Sequence, residues 1–185
     1  MKLGAALFYI FLSIIGLILA RIFHVNFWHV SPFIPHFPSL AVIPSGLALG
    51  VLVVILSHIL DRFPRFARLN ALIARHLPQL SFGDIVFLAV LSSFSEELLF
   101  RGVLLQLVGI NLSSLIFGLL HYGGKRDFVL WGIMGWVMGY LLAGIFLLTG
   151  SLLAPILAHF TINYFNLIHL IHNYRQPAGG IEPEE

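Results

Sequence analysis

Long apolar runs alternate with short polar breaks along this chain. Over a window of about 20 residues, apolar segments fall at roughly 3–22, 38–60, 82–108, 111–123, 128–148 and 151–172. The fourth is short for a full crossing, which suits a tilted or partly re-entrant helix. The pattern predicts an all-α, polytopic membrane helical bundle of about six transmembrane segments. It reads as a single domain over 1–175, and the chemistry-bearing core is expected at 82–172. The first segment follows Met1-Lys2 and is long for a signal-peptide core, so it is read as a retained span. The tail from Gln176 to Glu185 is polar, with Pro and Gly, and is expected to be disordered.

The breaks carry the topology. Residues 21–37 hold Phe23, Phe27, Trp28, Phe33 and Phe37 among His24, His29, His36, Pro32 and Pro35, with Pro38 next, which predicts an interfacial loop. Metal binding by these histidines is the lesser reading. Residues 61–79 contain Arg62, Arg65, Arg68 and Arg75 against Asp61, and read as a short amphipathic interfacial helix. The positive-inside rule puts that loop in the cytoplasm. Counting outward, Lys125-Arg126, Arg175 and both termini fall on the same side. Gly46-xxx-Gly50 and Gly135-xxx-Gly139 mark close helix packing.

Composition sharpens this. The chain is 59% hydrophobic and 10% charged, with a mean hydropathy of +0.98. It contains no cysteine, which removes disulfides, iron–sulfur clusters, zinc–thiolate sites and thiol nucleophiles. The net charge of +2 matters less than where the charges lie.

Two of the 8 acidic residues are adjacent and sit inside an apolar stretch, Ser95-Glu96-Glu97-Leu98-Leu99-Phe100-Arg101. A charge at membrane depth costs roughly 3 kcal/mol or more and persists where it is paired or functional. At helical spacing Glu97 and Arg101 share a face and pair, whereas Glu96 points about a quarter-turn away and is left for chemistry. A structural ion pair with a spare carboxylate is the alternative. His121 closes the fourth segment one turn after Phe117 and by itself reads as an interfacial histidine. His159 and Asn163, spaced i, i+4 after Pro155, supply an imidazole and an amide on one face. By themselves they read equally as an interhelical hydrogen-bond pair. Asn166, His169 and His172 are read as interfacial. Together, a carboxylate, two histidines and an amide on three helices supply a general base, a water-positioning group and oxyanion donors. With no cysteine and no evident serine–base motif, water is the expected nucleophile and hydrolysis the expected reaction.

Glu96-Glu97-xxx-Arg101, Phe117-xxx-His121 and His159-xxx-Asn163, in this order, resemble the three signature motifs of the CPBP intramembrane proteases, the family of CAAX prenyl proteases and bacteriocin-processing or self-immunity proteins. The resemblance covers roughly 82–170. It implies a membrane endopeptidase in which Glu96 and His121 activate the water, His159 and Asn163 stabilise the oxyanion, and Glu97, Arg101 and Phe117 support the site. Glu96, His121 and His159 would be the ligands if zinc takes part. The residue types suit a metal-held water or a glutamate-activated one. The implied partners are the bilayer and a peptide or protein substrate at the membrane, lipidated or not, with no role for nucleic acid. A compact chain of about six spans suits a microbial cytoplasmic membrane. Two other function classes are a non-catalytic immunity or scaffold protein, and a haem or metal carrier using His121 and His159.

Overall fold

A computed structural model describes residues 2–30 and 37–174. Arg175, the tail 176–185, and Ser31, Pro32, Phe33, Pro35 and His36 of the first loop lie outside them. The described chain forms α1 (Lys2–Ile22), α2 (Val42–Leu60), α3 (Pro64–His76), α4 (Phe82–Glu97), a π-helical segment (Leu98–Leu104), α5 (Leu105–Tyr122), α6 (Val129–Thr149) and α7 (Leu153–Tyr174). Five helical stretches are long and apolar enough to cross a membrane. The longest, Phe82–Tyr122, joins two of the apolar segments seen in the sequence.

That stretch is not straight. Gly109 takes φ +78° and ψ 170°, a backbone conformation that L side chains rarely adopt. The chain reverses there. The Ser113 hydroxyl donates to the Phe100 carbonyl at 3.0 Å, and the Phe100 and Phe117 rings meet edge to face at 4.9 Å. The short fourth segment is thus the return arm of a helical hairpin. Phe117 comes back to Phe100 and Arg101, and His121, one turn further on, lines the same cavity as Glu96.

Two helices turn apolar stripes outward at i, i+3 or i+4 spacing. Leu7, Phe11, Ile14 and Ile18 of α1 and Ile43, Leu47, Val51 and Ile55 of α2 are exposed, as a lipid-facing surface requires. The inner contacts rest on small residues. A Cβ on Gly50 would meet the Thr161 side chain at 2.7 Å, and one on Gly139 would meet the Ser114 Cβ at 2.7 Å. Both glycine pairs therefore do what their spacing suggests, bringing α2 against α7 and α6 against α5. Leu12, Leu99, Phe100 and Phe117 form one buried apolar cluster, and Leu105, Ala143, Phe146 and Leu152 form another.

The polar breaks sort onto two sides. On one, the Val30 amide donates to the Gly150 carbonyl, the Leu152 amide to Trp28, and the Gln106 side chain to Asn26. On the other, α3, the 123–128 turn and the end of α7 come together. Asp61 is the hub there. It accepts from Asn70 of α3 at 2.8 Å, contacts the His169 ring at 2.7 Å, and accepts from the Tyr174 hydroxyl. Burial alone would raise the Asp61 carboxyl, but the hydrogen bonds from Tyr174, His169 and Asn70 outweigh it and hold the group below the ordinary carboxylate value.

A depressed carboxylate contributes stability that is present above its unfolded pKa and is lost as the pH falls through the folded value. Asp61→Ala is therefore expected to lower the thermal unfolding temperature at pH 6, and to flatten the further loss that wild type shows below about pH 4. Parallel pH profiles for the two proteins in detergent would show that Asp61 does not tie these elements together.

Candidate active site

The acidic pair sits where α4 passes into the π-helical segment, a local departure from the i→i+4 ladder that frequently marks functional sites. Glu97 and Arg101 are buried, at 0% and 1% exposure. Their expected i, i+4 pair is present, with the Arg101 guanidinium 2.7 Å from Glu97 Oε1. The other Arg101 nitrogen reaches the Met138 and Gly139 carbonyls at 3.4 and 3.3 Å. The guanidinium also lies 4.4 Å from the centre of the Phe117 ring, a cation–π geometry.

Glu97 has a second partner that spacing alone did not reveal. His159 Nδ1 lies 2.6 Å from Glu97 Oε1. A carboxylate accepts, so Nδ1 carries the proton, and Nε2 faces the Glu96 Oε2 at 3.9 Å. Arg101, Glu97, His159 and Glu96 thus form one chain of alternating charge and imidazole, with the last carboxylate at its free end. Glu96 Oε2 is buried and has no hydrogen-bond partner. In a packed interior such an oxygen is costly unless something else uses it.

His121 is fixed in the same way. Its Nδ1 lies 2.8 Å from the Phe117 carbonyl, so that nitrogen donates and Nε2 is left with a lone pair. Phe117, one turn back, stacks against His121 at 4.5 Å and also touches His159 at 6.1 Å. Asn163 donates one amide hydrogen to Ser92 Oγ at 2.9 Å, which leaves the other unassigned.

Glu96, His121, His159 and Asn163 all line one cavity of about 480 Å³. The sequence-predicted set therefore converges, with Glu97, Arg101 and Phe117 packed behind it. Three contributors were not anticipated. Tyr9 of α1 lines the cavity and hydrogen-bonds the Glu96 side chain. Its neighbour one turn on, Ser13, donates to Ser95 at 2.8 Å, so a Tyr-xxx-Ser spacing inside the first apolar run was the available signal. Ser92 lies one turn before Glu96, and Trp131 packs edge-on to His121 at 5.3 Å. The cavity also extends past Asn166 to His169, so these two are wall residues rather than merely interfacial ones.

The metal reading meets a limit in this arrangement. No three His, Asp or Glu side chains among the described residues form a group that could hold a metal ion. Glu96, His121 and His159 share the cavity without being gathered as a ligand set.

Residues 78–165, which hold all three motifs, match the family described as type II CAAX prenyl endopeptidase Rce1-like. Over these residues the chain is similar to the CPBP, or CAAX protease, family. It is also similar to the uncharacterized protein YpbD of Bacillus subtilis (strain 168), at 41% identity over 83 residues, which are 45% of this chain and 43% of that protein. The matched stretch thus spans less than half the length of that relative. No solved structure matches the chain. The CAAX protease match begins just before α4 and ends within α7, so it takes in the hairpin, α6 and the His159–Asn163 turn. Tyr9 and the Asp61 hub lie outside it.

Proposed function

We propose that this protein is an intramembrane endopeptidase that hydrolyses a peptide bond with a water activated by Glu96. The observation that carries this is the orphaned Glu96 Oε2, buried at the end of the Arg101–Glu97–His159 chain and facing a cavity lined by His121 and Asn163. Glu96 takes a proton from water, whose other hydrogen is held by the lone pair on His121 Nε2. The resulting hydroxide attacks the scissile carbonyl carbon. His159 as an imidazolium, braced through Nδ1 by Glu97, donates from Nε2 to the oxyanion, and the unassigned Asn163 amide hydrogen donates beside it. Glu96 then passes its proton to the departing amine nitrogen as the C–N bond breaks.

The substrate is a peptide or protein segment held at the membrane. The leucine, isoleucine and phenylalanine lining of the cavity suits an apolar segment, and the family description points to lipidated C-terminal peptides. The test is cleavage of a membrane-anchored peptide library by the purified protein in proteoliposomes. Turnover that survives chelators supports the metal-free route. Activity abolished by chelation and restored by zinc would instead place a metal on Glu96, His121 and His159.

The cavity wall includes Ala5 and His76, on the side that carries the arginines of α3. The positive-inside rule makes that side cytoplasmic, so substrate enters from there and both termini are cytoplasmic. The chain lacks cysteine, so single cysteines report without background. Gln79→Cys is expected to resist impermeant thiol reagents in intact cells and to react after lysis, and His29→Cys to label in intact cells. The reverse pattern would invert the orientation.

A further inference from the structure

A second cleft flanks α3 beside the catalytic cavity, and the two share Leu69 as a wall residue. It has a volume of about 310 Å³ and is lined by Arg65, Arg68 and Arg75 above Leu69 and Leu72, with Asp127 of the 123–128 turn at its border. The three guanidinium groups meet one carboxylate there. Among the described residues none of these arginines has an ion-pair partner. Helix α3 is amphipathic and sits between the ends of two apolar stretches, at Leu60 and Phe82. The cleft is therefore at membrane-surface height, with a cationic rim over an apolar floor. A hydrated ion gains nothing from that floor, whereas the glycerol and upper acyl region of a lipid does.

We propose that this cleft binds the phosphate of an anionic lipid headgroup. The arginines hold the phosphate oxygens through charge-assisted hydrogen bonds, and Leu69 and Leu72 contact the glycerol and acyl region beneath. Because Leu69 also lines the catalytic cavity, beside Phe66, Asn70 and Ile73 of the same helix, an occupied cleft holds one wall of that cavity in place. Lipid binding at this cleft is independent of the hydrolytic chemistry.

Native mass spectrometry of the full chain in detergent, titrated with phosphatidylglycerol, phosphatidylcholine or inorganic phosphate, tests it. Retained phosphatidylglycerol adducts are expected, with phosphatidylcholine retained far less and millimolar phosphate failing to displace the lipid. Each basic side chain near an anionic surface contributes about fivefold, so Arg65→Gln/Arg68→Gln/Arg75→Gln should weaken retention roughly a hundredfold. Arg62→Gln, outside the cleft, should leave it unchanged. If the triple variant does not fold, Arg68→Gln alone should still weaken binding about fivefold. Equal retention of both lipids, undiminished binding by these variants, or displacement by free phosphate would each overturn the proposal, the last in favour of a soluble phosphate ligand.

Discussion

Glu96→Gln is expected to remove peptide-bond hydrolysis, lowering turnover by about 10²–10⁴-fold, while the protein unfolds no earlier than wild type. The two halves of this expectation have separate causes. Glutamine keeps the size of the side chain but does not accept a proton from water, so the base is lost. Glu96 Oε2 has no hydrogen-bond partner and meets the His159 ring only at 3.9 Å, and glutamine keeps an oxygen for Tyr9 to donate to, so the change relieves an uncompensated buried oxygen without removing a close contact. The measurement pairs turnover in proteoliposomes with a thermal unfolding curve in detergent. Near-wild-type turnover would end the assignment of Glu96 as the base. A large drop in unfolding temperature would mean that Glu96 is a structural group instead.

Arg101→Ala is expected to show the opposite balance, with a large stability loss as well as lost activity. It strands Glu97, which is 0% exposed, without its 2.7 Å partner. Breaking a buried pair from one side costs roughly 3–5 kcal/mol. The guanidinium also holds the Met138 and Gly139 carbonyls and covers Phe117, so the α5–α6 packing loosens with it. The double variant Glu97→Gln/Arg101→Met removes both charges and should recover much of the stability. It should not recover activity, because His159 Nδ1 then loses the carboxylate that orients it. A double variant no more stable than Arg101→Ala would argue against direct pairing. One that regained turnover would show that Glu97 does not serve His159.

These expectations rest unequally on sequence and structure. Glu97–Arg101 was legible because i, i+4 spacing puts two side chains on one helix face whatever surrounds them. The Glu97–His159 contact was not, since its partners are 62 residues apart and meet only because α7 packs against α4. Tyr9 was hidden for the same reason: its partner Glu96 is on another helix, and a lone tyrosine in an apolar run is common at membrane interfaces. His169 was read as interfacial from its place near a helix end, and its partner there, Asp61 of the loop after α2, is 108 residues away in sequence.

The sequence by itself determined the solvent and the alphabet of the reaction. Apolar runs of about 20 residues cannot leave backbone groups unpaired in lipid, so they dictated helices and their approximate ends. The absence of cysteine, and the ordered motifs at 96–101, 117–121 and 159–163, narrowed the chemistry before any contact was known. Only the tertiary structure decided that Gly109 reverses the chain, that His121 and Glu96 then line one cavity, and that one carboxylate serves both Arg101 and His159. The physical reason is range. Periodicity and burial cost act within one helix and are written in local spacing. The meeting of side chains from α1, α4, α5 and α7 depends on helix crossings set by glycine contacts and by the φ of a single residue, to which hydropathy is blind.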